Sequence, residues 1–131
     1  MRKIALALAA TGVLFAAPLV QARERLTPAA QLDKLLAGRV PGKPVHCISL
    51  MTSHDMQIID KTAIVFGSGN VIYVNRPRYP ESLDSDDVMV TKTSGSELCS
   101  LDIVRMHDRQ GFWQRGFVGL SDFVPYRRVR G

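Results

Sequence analysis

The sequence predicts a small, mainly β domain of the α+β class: an antiparallel sheet, closed into a barrel or sandwich, with one N-terminal helix. Three observations predict this fold. Short β-branched and aromatic runs recur between clusters of Gly, Pro, Asn and Asp along most of the chain. One stretch before these runs has helical spacing and helix end signals. A chain of 131 residues, shorter still without its N-terminal segment, fits one domain.

Residues 1–22 have the three parts of a secretory signal. A basic head is followed by an apolar run at residues 4–17, and a small-residue cleavage pattern ends at Ala22. The apolar run is shorter than the ~20 residues that a membrane-spanning helix needs, and an uncleaved anchor is the alternative interpretation. We expect cleavage after Ala22 and a periplasmic or secreted mature chain that is not embedded in a membrane.

The predicted mature chain divides into a helix with its connector, residues 23–43, and a β-rich domain, residues 44–131. Without Arg2 and Lys3 it has 15 basic and 12 acidic residues, a net charge of +3. Nucleic-acid-binding domains usually carry a concentrated basic stripe, often with interleaved aromatic residues. The basic residues here are scattered except near the C-terminus, so we expect no nucleic-acid partner.

The helix is predicted from its end signals. Thr27 is a suitable N-cap, Pro28 fits the first helical position, and Gly38 stands just past the end. Between them lies an apolar stripe of three leucines, Leu32, Leu35 and Leu36. We expect the stripe to pack on the domain, because isolated helices of this length are marginal in water. The prolines and glycine at 39–44 predict a connector that is neither helix nor central strand.

The β-rich part is divided into strands by its turn signals. We expect strands at 45–50, 56–59, 62–66, 71–74, 88–91, 98–107, 112–118 and 123–129. The strongest hairpin signal is the Gly-Ser-Gly-Asn loop at 67–70, which separates two β-branched runs. Two prolines within 75–83 and the acidic residues that follow predict an irregular surface loop.

Cys47 and Cys99 are the two cysteines of the chain. In an exported protein a pair of thiols is more often a disulfide than a metal site or a nucleophile. Closing the loop between them would be worth roughly 4 kcal/mol in the chain-entropy model. We therefore expect a structural disulfide that joins the first strand of the β-rich domain to a late one.

No group of residues predicts catalysis, a metal site or a cofactor. The three histidines, which are His46, His54 and His107, lack the spacing of a zinc site. His46 and Cys47, as neighbours in a predicted strand, should point to opposite faces. The acidic residues at 84–87 lack the glycine and the distal glutamate of a calcium loop. Ser68 lies between two glycines but not in a nucleophile elbow.

An aromatic and basic group remains as a candidate binding surface. Its members are Tyr73, Arg76, Arg78, Tyr79, Trp113 and Arg115. Aromatic and arginine side chains dominate binding hot spots in protein interfaces. Our first hypothesis is a structural or interaction module of the periplasm or cell envelope, without a cofactor. Its partner would be an envelope protein or a small ligand. The alternative is a periplasmic ligand-binding or hydrolytic domain that uses this surface.

Short motifs lie between residues 40 and 127: Pro-Val-His-Cys-Ile-Ser at 44–49, Ile-Asp at 59–60, Tyr-Val-Asn-Arg at 73–76, Leu-Cys-Ser-Leu-Asp-Ile at 98–103 and Gly-Leu-Ser-Asp-Phe-Val-Pro-Tyr at 119–126. Together they resemble the pattern of a family of small exported bacterial proteins grouped as a domain of unknown function. The resemblance implies two further cysteines where this chain has Tyr79 or Pro80 and Phe117. Their joint absence implies that they pair with each other and that Cys47 pairs with Cys99. The resemblance implies no activity and no catalytic residues.

Overall fold

The computed structural model describes residues 12–14, 16 and 24–130. One helix precedes ten strands and a short 3-10 helix: α1 (Pro28–Leu36), β1 (Arg39–Pro41), β2 (Cys47–Ser49), β3 (Met56–Ile59), β4 (Ala63–Phe66), β5 (Val71–Asn75), the 3-10 helix (Pro80–Ser82), β6 (Asp87–Val90), β7 (Glu97–Cys99), β8 (Ile103–Asp108), β9 (Gln114–Gly119) and β10 (Phe123–Arg128). The predicted mainly β fold with one helix is confirmed. The predicted basic head and the cleavage site at Ala22 lie outside the described residues.

The strands form three small antiparallel sheets. The five-stranded sheet has the order β1-β10-β5-β4-β3, the three-stranded sheet has the order β6-β8-β9, and β2 and β7 form a two-stranded ribbon. A single bridge between Val45 and Phe123 links the start of the ribbon to the five-stranded sheet. None of the described helices is long and apolar enough to cross a membrane.

The main core lies between the five-stranded sheet on one side and the ribbon and three-stranded sheet on the other. Strand β4 shows why its sequence is apolar throughout. Ile64 and Phe66 point into this core, whereas Ala63 and Val65 point to the opposite face, which α1 covers. Because side chains alternate along a strand, a strand that is buried on both faces needs a continuous apolar run.

Helix α1 follows the predicted end signals. The Thr27 side-chain oxygen accepts a hydrogen bond from the Ala30 N–H at 3.2 Å, and Gly38 has a φ of 71°, which favours glycine. Leu32 is the buried residue of the helix and contacts the second apolar cluster, with Leu35 and Leu36 packed beside it. The leucine stripe is therefore the docking face.

The predicted single strand at 98–107 is wrong, because a turn at residues 100–102 divides it into β7 and β8. The Asp102 carboxylate accepts a hydrogen bond from the Cys99 N–H at 2.7 Å, and the Asp102 N–H donates to the Cys99 carbonyl oxygen at 3.0 Å. Asp closes such turns with its own side chain. As a result β7 pairs with β2, while β8 belongs to the three-stranded sheet.

The predicted connector at 39–44 contributes a strand to the five-stranded sheet. Arg39–Pro41 pairs with β10 as β1, at the edge of that sheet. A proline is tolerated there, because its missing N–H can face away from the neighbouring strand. The β-structure therefore begins at Arg39 rather than at residue 44.

Candidate functional site

Cys47 and Cys99 form a disulfide with an S–S distance of 2.08 Å, across 52 residues of sequence. They are directly opposite each other in the β2–β7 ribbon. Cys47 is exposed and Cys99 is half-buried, whereas the next pair in the ribbon, Ile48 and Leu98, is buried in the main core. The disulfide is therefore on the outer side of the ribbon. Glu97 lies close to both sulfur atoms, but these are bonded to each other and offer no thiolate to a metal ion.

The disulfide lines a cleft of about 740 Å³. Three irregular segments build its walls: the bend before β2, the turn between β7 and β8, and the loop between β9 and β10. The polar side chains at the cleft include His46, Arg78, Ser100 and Asp122, and Leu101 and Leu120 add apolar surface. The volume is in the range of ligand-binding clefts, which is ~300–1,000 Å³.

A buried amide fixes the loop between β9 and β10. Asn75, which is 0% exposed, donates from its side-chain nitrogen to the Ser121 carbonyl oxygen at 2.5 Å. Its side-chain oxygen accepts from the Ser121 N–H at 3.1 Å. Both backbone groups of Ser121 are satisfied, so the neighbouring Asp122 is held at the cleft. This role could not be predicted from the sequence, because the two prolines that follow Asn75 indicate an irregular loop and Ser121 is 46 residues away.

His46 and Asp122 are paired at the edge of the cleft. The His46 Nδ1 atom lies 2.8 Å from the Asp122 carboxylate oxygen. This hydrogen bond is the largest cause of the lowered pKa of Asp122, and the Ser100 side chain acts in the same direction. A carboxylate only accepts hydrogen bonds, so Nδ1 carries the proton in this pair and Nε2 is the remaining ring nitrogen.

His46 and Cys47 both line the cleft, but His46 is not among the groups of the described residues that surround the Cys47 sulfur, which are Glu97 and Cys99. The strand alternation does not apply, because His46 lies in a bend and β2 begins at Cys47. The cleft nevertheless lacks the order of a Ser-His-Asp triad. A nucleophilic serine would contact the imidazole, and among the described residues the His46 side chain is hydrogen-bonded to Asp122 and not to Ser100.

Arg115 is held by three carboxylates of the chain. Its guanidinium lies 3.4 Å from Asp84, 3.5 Å from Asp87 and 3.4 Å from Asp108. The pairing of β8 with β9 shifts register beside Arg115. Such a β-bulge can turn a side chain, here Arg115, towards a different side of the strand. Burial raises the pKa of Asp87, which Arg115 opposes, whereas the N–H groups of Gly111 and Gln110 lower the pKa of Asp108. The group joins the acidic loop to the three-stranded sheet.

The structure distributes the other predicted surface residues over different places. Arg78 lines the disulfide cleft, whereas Arg115 lines a second cavity of about 340 Å³. Tyr73 is half-buried against the main core, and Arg76 is exposed. Tyr79 and Trp113 are 71% and 76% exposed. Their role as one shared binding surface stays a prediction.

The outward side of the three-stranded sheet carries apolar residues that sequence analysis did not single out. We define the outer face by four residues: Val90, Ile103, Arg105 and Phe117. Val90, Arg105 and Phe117 form one row across β6, β8 and β9. Ile103 and Phe117 are 67% and 60% exposed. In the sequence, the adjacent apolar pairs Ile103-Val104 and Phe117-Val118 indicate an apolar outward surface, since in a strand one member of each pair must face outward.

Arg105 lies within this apolar row. Its Cζ atom is 5.9 Å from the centroid of the Phe117 ring, a cation–π distance. It makes no ion pair with any residue that the structure describes. The hairpin between β8 and β9 continues the exposed surface with Phe112, which is 72% exposed, and Trp113.

Comparison of the chain with protein-family models, with curated proteins and with solved structures gave no match. The resemblance to a family of small exported bacterial proteins therefore stays a prediction.

Proposed function

We propose that this chain is an exported binding module of the periplasm or cell envelope, and that it contacts a partner protein through the outer face. The observation that carries the proposal is the exposure of Ile103 and Phe117 beside Arg105, which has no ion-pair partner among the described residues. The opposite side of the same strands is buried in the core through Val104, Met106 and Val118. Contiguous exposed apolar surface of this kind is typical of interaction sites.

The side chains of the outer face indicate which kind of protein surface it can bind. The outward positions of the three strands include Val88, Val90, Ile103, Arg105, His107 and Phe117, and no acidic residue is among them. Arginine beside an aromatic ring is a frequent hot-spot combination, and its guanidinium recognises carboxylates with two parallel hydrogen bonds. The partner surface should therefore present apolar side chains around an Asp or Glu.

A second copy of this chain fits the face less well. In a symmetric dimer the same patch meets itself, and an interface centred on Arg105 would bring it close to Arg105 of the other copy. Two guanidinium groups without a carboxylate between them would repel each other in a desolvated interface. The charge on the outer face thus favours a different protein over self-association.

A membrane surface is also a poorer match. The exposed apolar residues extend from Ile103 at one end of β8 to the hairpin at the other end, a distance of about 20 Å for a six-residue strand. Insertion into a lipid interface would use the hairpin with Phe112 and Trp113 and leave Ile103 and Val90 in water. A broad protein surface covers all of them.

Export is supported by two features of the chain. The residues up to Ala22 have the pattern of a secretory signal, and the disulfide is a bond that persists in oxidising compartments. Export places the outer face in the periplasm or outside the cell, where an envelope protein could reach it.

Site-specific photo-crosslinking in the cells that produce the chain tests the proposal. A photoreactive phenylalanine analogue is placed at position 103 or 117 of the full chain, and at Val40, a 52% exposed strand residue of the other sheet, as the control. We expect one protein adduct from positions 103 and 117 and none from position 40. Adducts of equal yield from all three positions, or none from 103 and 117, would contradict the proposal.

Two further measurements test the two alternative partners, a second copy of this chain and a membrane surface. Analytical ultracentrifugation of the purified exported protein should show a monomer, because Arg105 disfavours self-pairing. Cosedimentation with phosphatidylglycerol-containing vesicles should leave the protein in the supernatant. A dimer that crosslinks through position 117, or vesicle binding lost on Phe112→Ser, would overturn the assignment of a different protein as the partner.

A further inference from the structure

We propose that the Cys47–Cys99 bond is a thiol–disulfide exchange site, at which a dithiol partner reduces the bond reversibly while the chain stays folded. This inference goes beyond the proposed binding function and does not depend on it, since the disulfide cleft and the outer face consist of different residues. The observations are the exposure of Cys47, the cleft that admits a reactant, the charged groups around the sulfur atoms and the buried anchors behind them.

Access is the first requirement, because exchange proceeds by attack of a thiolate on a disulfide sulfur. Cys47 is exposed, and both cysteines line the cleft of about 740 Å³. A disulfide that served only as a core clamp would be shielded by side chains, as Ile48 and Leu98 are. Exposed disulfides are the labile and catalytic class.

Two charged groups act in opposite directions on a thiolate here: Arg78 lines the cleft, and Glu97 lies beside the sulfur atoms but outside the cleft lining. Arg78 lines the cleft and makes no ion pair with the residues that the structure describes, and a nearby guanidinium stabilises a thiolate. The Glu97 carboxylate lies within 4.8 Å of both sulfur atoms and disfavours a thiolate there. Removal of the two charges should therefore change the rate of exchange in opposite directions.

The fold does not need the sulfur–sulfur bond to hold the ribbon together. Ile48 and Leu98, directly opposite each other, are 3% and 0% exposed and belong to the main core. The Leu50 N–H and the Ser100 N–H donate to carbonyl groups across the ribbon at its two ends. After reduction these contacts keep the two thiols close, so that the bond can form again.

The exchange has two balanced steps. A thiolate of the dithiol partner attacks the Cys47 sulfur, the Cys47–Cys99 bond breaks, and Cys99 leaves as a thiolate that takes a proton from solvent. The second thiol of the partner, as a thiolate, then attacks the partner sulfur in the mixed disulfide and releases Cys47. The partner becomes a disulfide, and this chain becomes a dithiol with two added protons and two electrons. The reverse sequence restores the bond.

Reduction of the native exported protein by dithiothreitol tests the proposal, followed by alkylation and mass spectrometry. We expect a rate that rises linearly with dithiothreitol concentration, an unchanged far-UV circular dichroism spectrum after reduction, and reoxidation by oxidised glutathione. A rate that saturates at the rate of unfolding, or loss of the spectrum on reduction, would overturn the proposal, because reduction would then require unfolding.

Three single variants test the charges. Arg78→Gln should slow the reduction about threefold or more, and Glu97→Gln should accelerate it by a similar factor, since thiolate stabilisation controls exchange rates. Arg76→Gln is the matched control, because Arg76 is an exposed arginine two residues away that does not line the cleft. Equal rates in all three variants and the wild type would contradict a role for these charges.

Discussion

The side-chain amide of Asn75 makes both of its hydrogen bonds to the backbone of Ser121, 46 residues further along the chain. The two groups are held between β5 and the start of β10, and Asn75 is fully buried. In this way one side chain replaces the strand pairing that the loop between β9 and β10 lacks. The position of Asp122, and with it the wall of the disulfide cleft, depends on that amide.

Asn75→Ala should destabilise the protein by about 1–3 kcal/mol, because it removes both hydrogen bonds to the part-buried backbone of Ser121. Asn75→Asp keeps the size of the side chain but places an oxygen against the Ser121 carbonyl, so it should not restore stability at neutral pH. Urea unfolding measures both variants. A loss below about 0.5 kcal/mol for both would show that water or another side chain satisfies the loop.

The disulfide should contribute about 2–4 kcal/mol to the free energy of unfolding, since it closes a loop of 52 residues in the unfolded chain. The double variant Cys47→Ala, Cys99→Ala should lose that amount in urea titrations and still fold, because Ile48 and Leu98 anchor the ribbon. An unfolded double variant would contradict both the estimate and the anchoring.

Leu32→Ala should cost about 2–4 kcal/mol, because Leu32 is the buried contact of α1 with the five-stranded sheet. Leu26→Ala is the matched control, since Leu26 lies just before the helix and is 47% exposed. Thermal unfolding of the two variants compares them directly. Equal effects would mean that the helix is not held by its leucine stripe.

Asp87 and Asp108 should affect the pH dependence of stability with opposite signs. The pKa of Asp87 is raised by burial, so its ionisation weakens the folded state above that pKa and the penalty vanishes in acid. The pKa of Asp108 is lowered, mainly by the N–H groups of Gly111 and Gln110. Its contribution is therefore present above its unfolded pKa and is lost as the pH falls through the folded one.

Urea unfolding of Asp87→Asn, Asp108→Asn and the wild type between about pH 7 and about pH 2 tests these opposite effects on stability. The free energy of unfolding of Asp87→Asn, relative to the wild type, should be higher at neutral pH than in acid. That of Asp108→Asn, relative to the wild type, should be lower at neutral pH than in acid. Parallel pH profiles for the two variants would show that Arg115 and not burial dominates at Asp87.

The sequence predicted the fold class, the helix with its ends and the central hairpin, because these depend on local signals. Thr27, Pro28 and Gly38 determine helix ends within a few residues of themselves, and the Gly-Ser-Gly-Asn loop between two β-branched runs indicates a hairpin without a distant partner. The division of residues 98–107 was missed, since a serine and an aspartate within an apolar run can continue a strand or close a turn. Only the pairing of β7 with the distant β2 decides between them.

The candidate sites were less predictable for a related reason. Periodicity tells which residues share a face but not which face another sheet covers. From the sequence, Ile103 and Phe117 are ordinary strand residues. Only the burial of their neighbours Val104 and Val118 shows that Ile103 and Phe117 face outward. His46 and Asp122 are 76 residues apart, so no local pattern could have joined them.

The most direct test of the outer face is the effect of Arg105→Glu on the photo-crosslink from position 103. Arg127→Glu, an exposed strand arginine on the five-stranded sheet, is the control. We expect Arg105→Glu to lower the yield of the partner adduct about tenfold, because a carboxylate would then face a carboxylate. Arg127→Glu should leave the yield unchanged, and both variants should keep the wild-type unfolding midpoint. An undiminished adduct in Arg105→Glu would show that Arg105 does not pair with an acidic group of the partner.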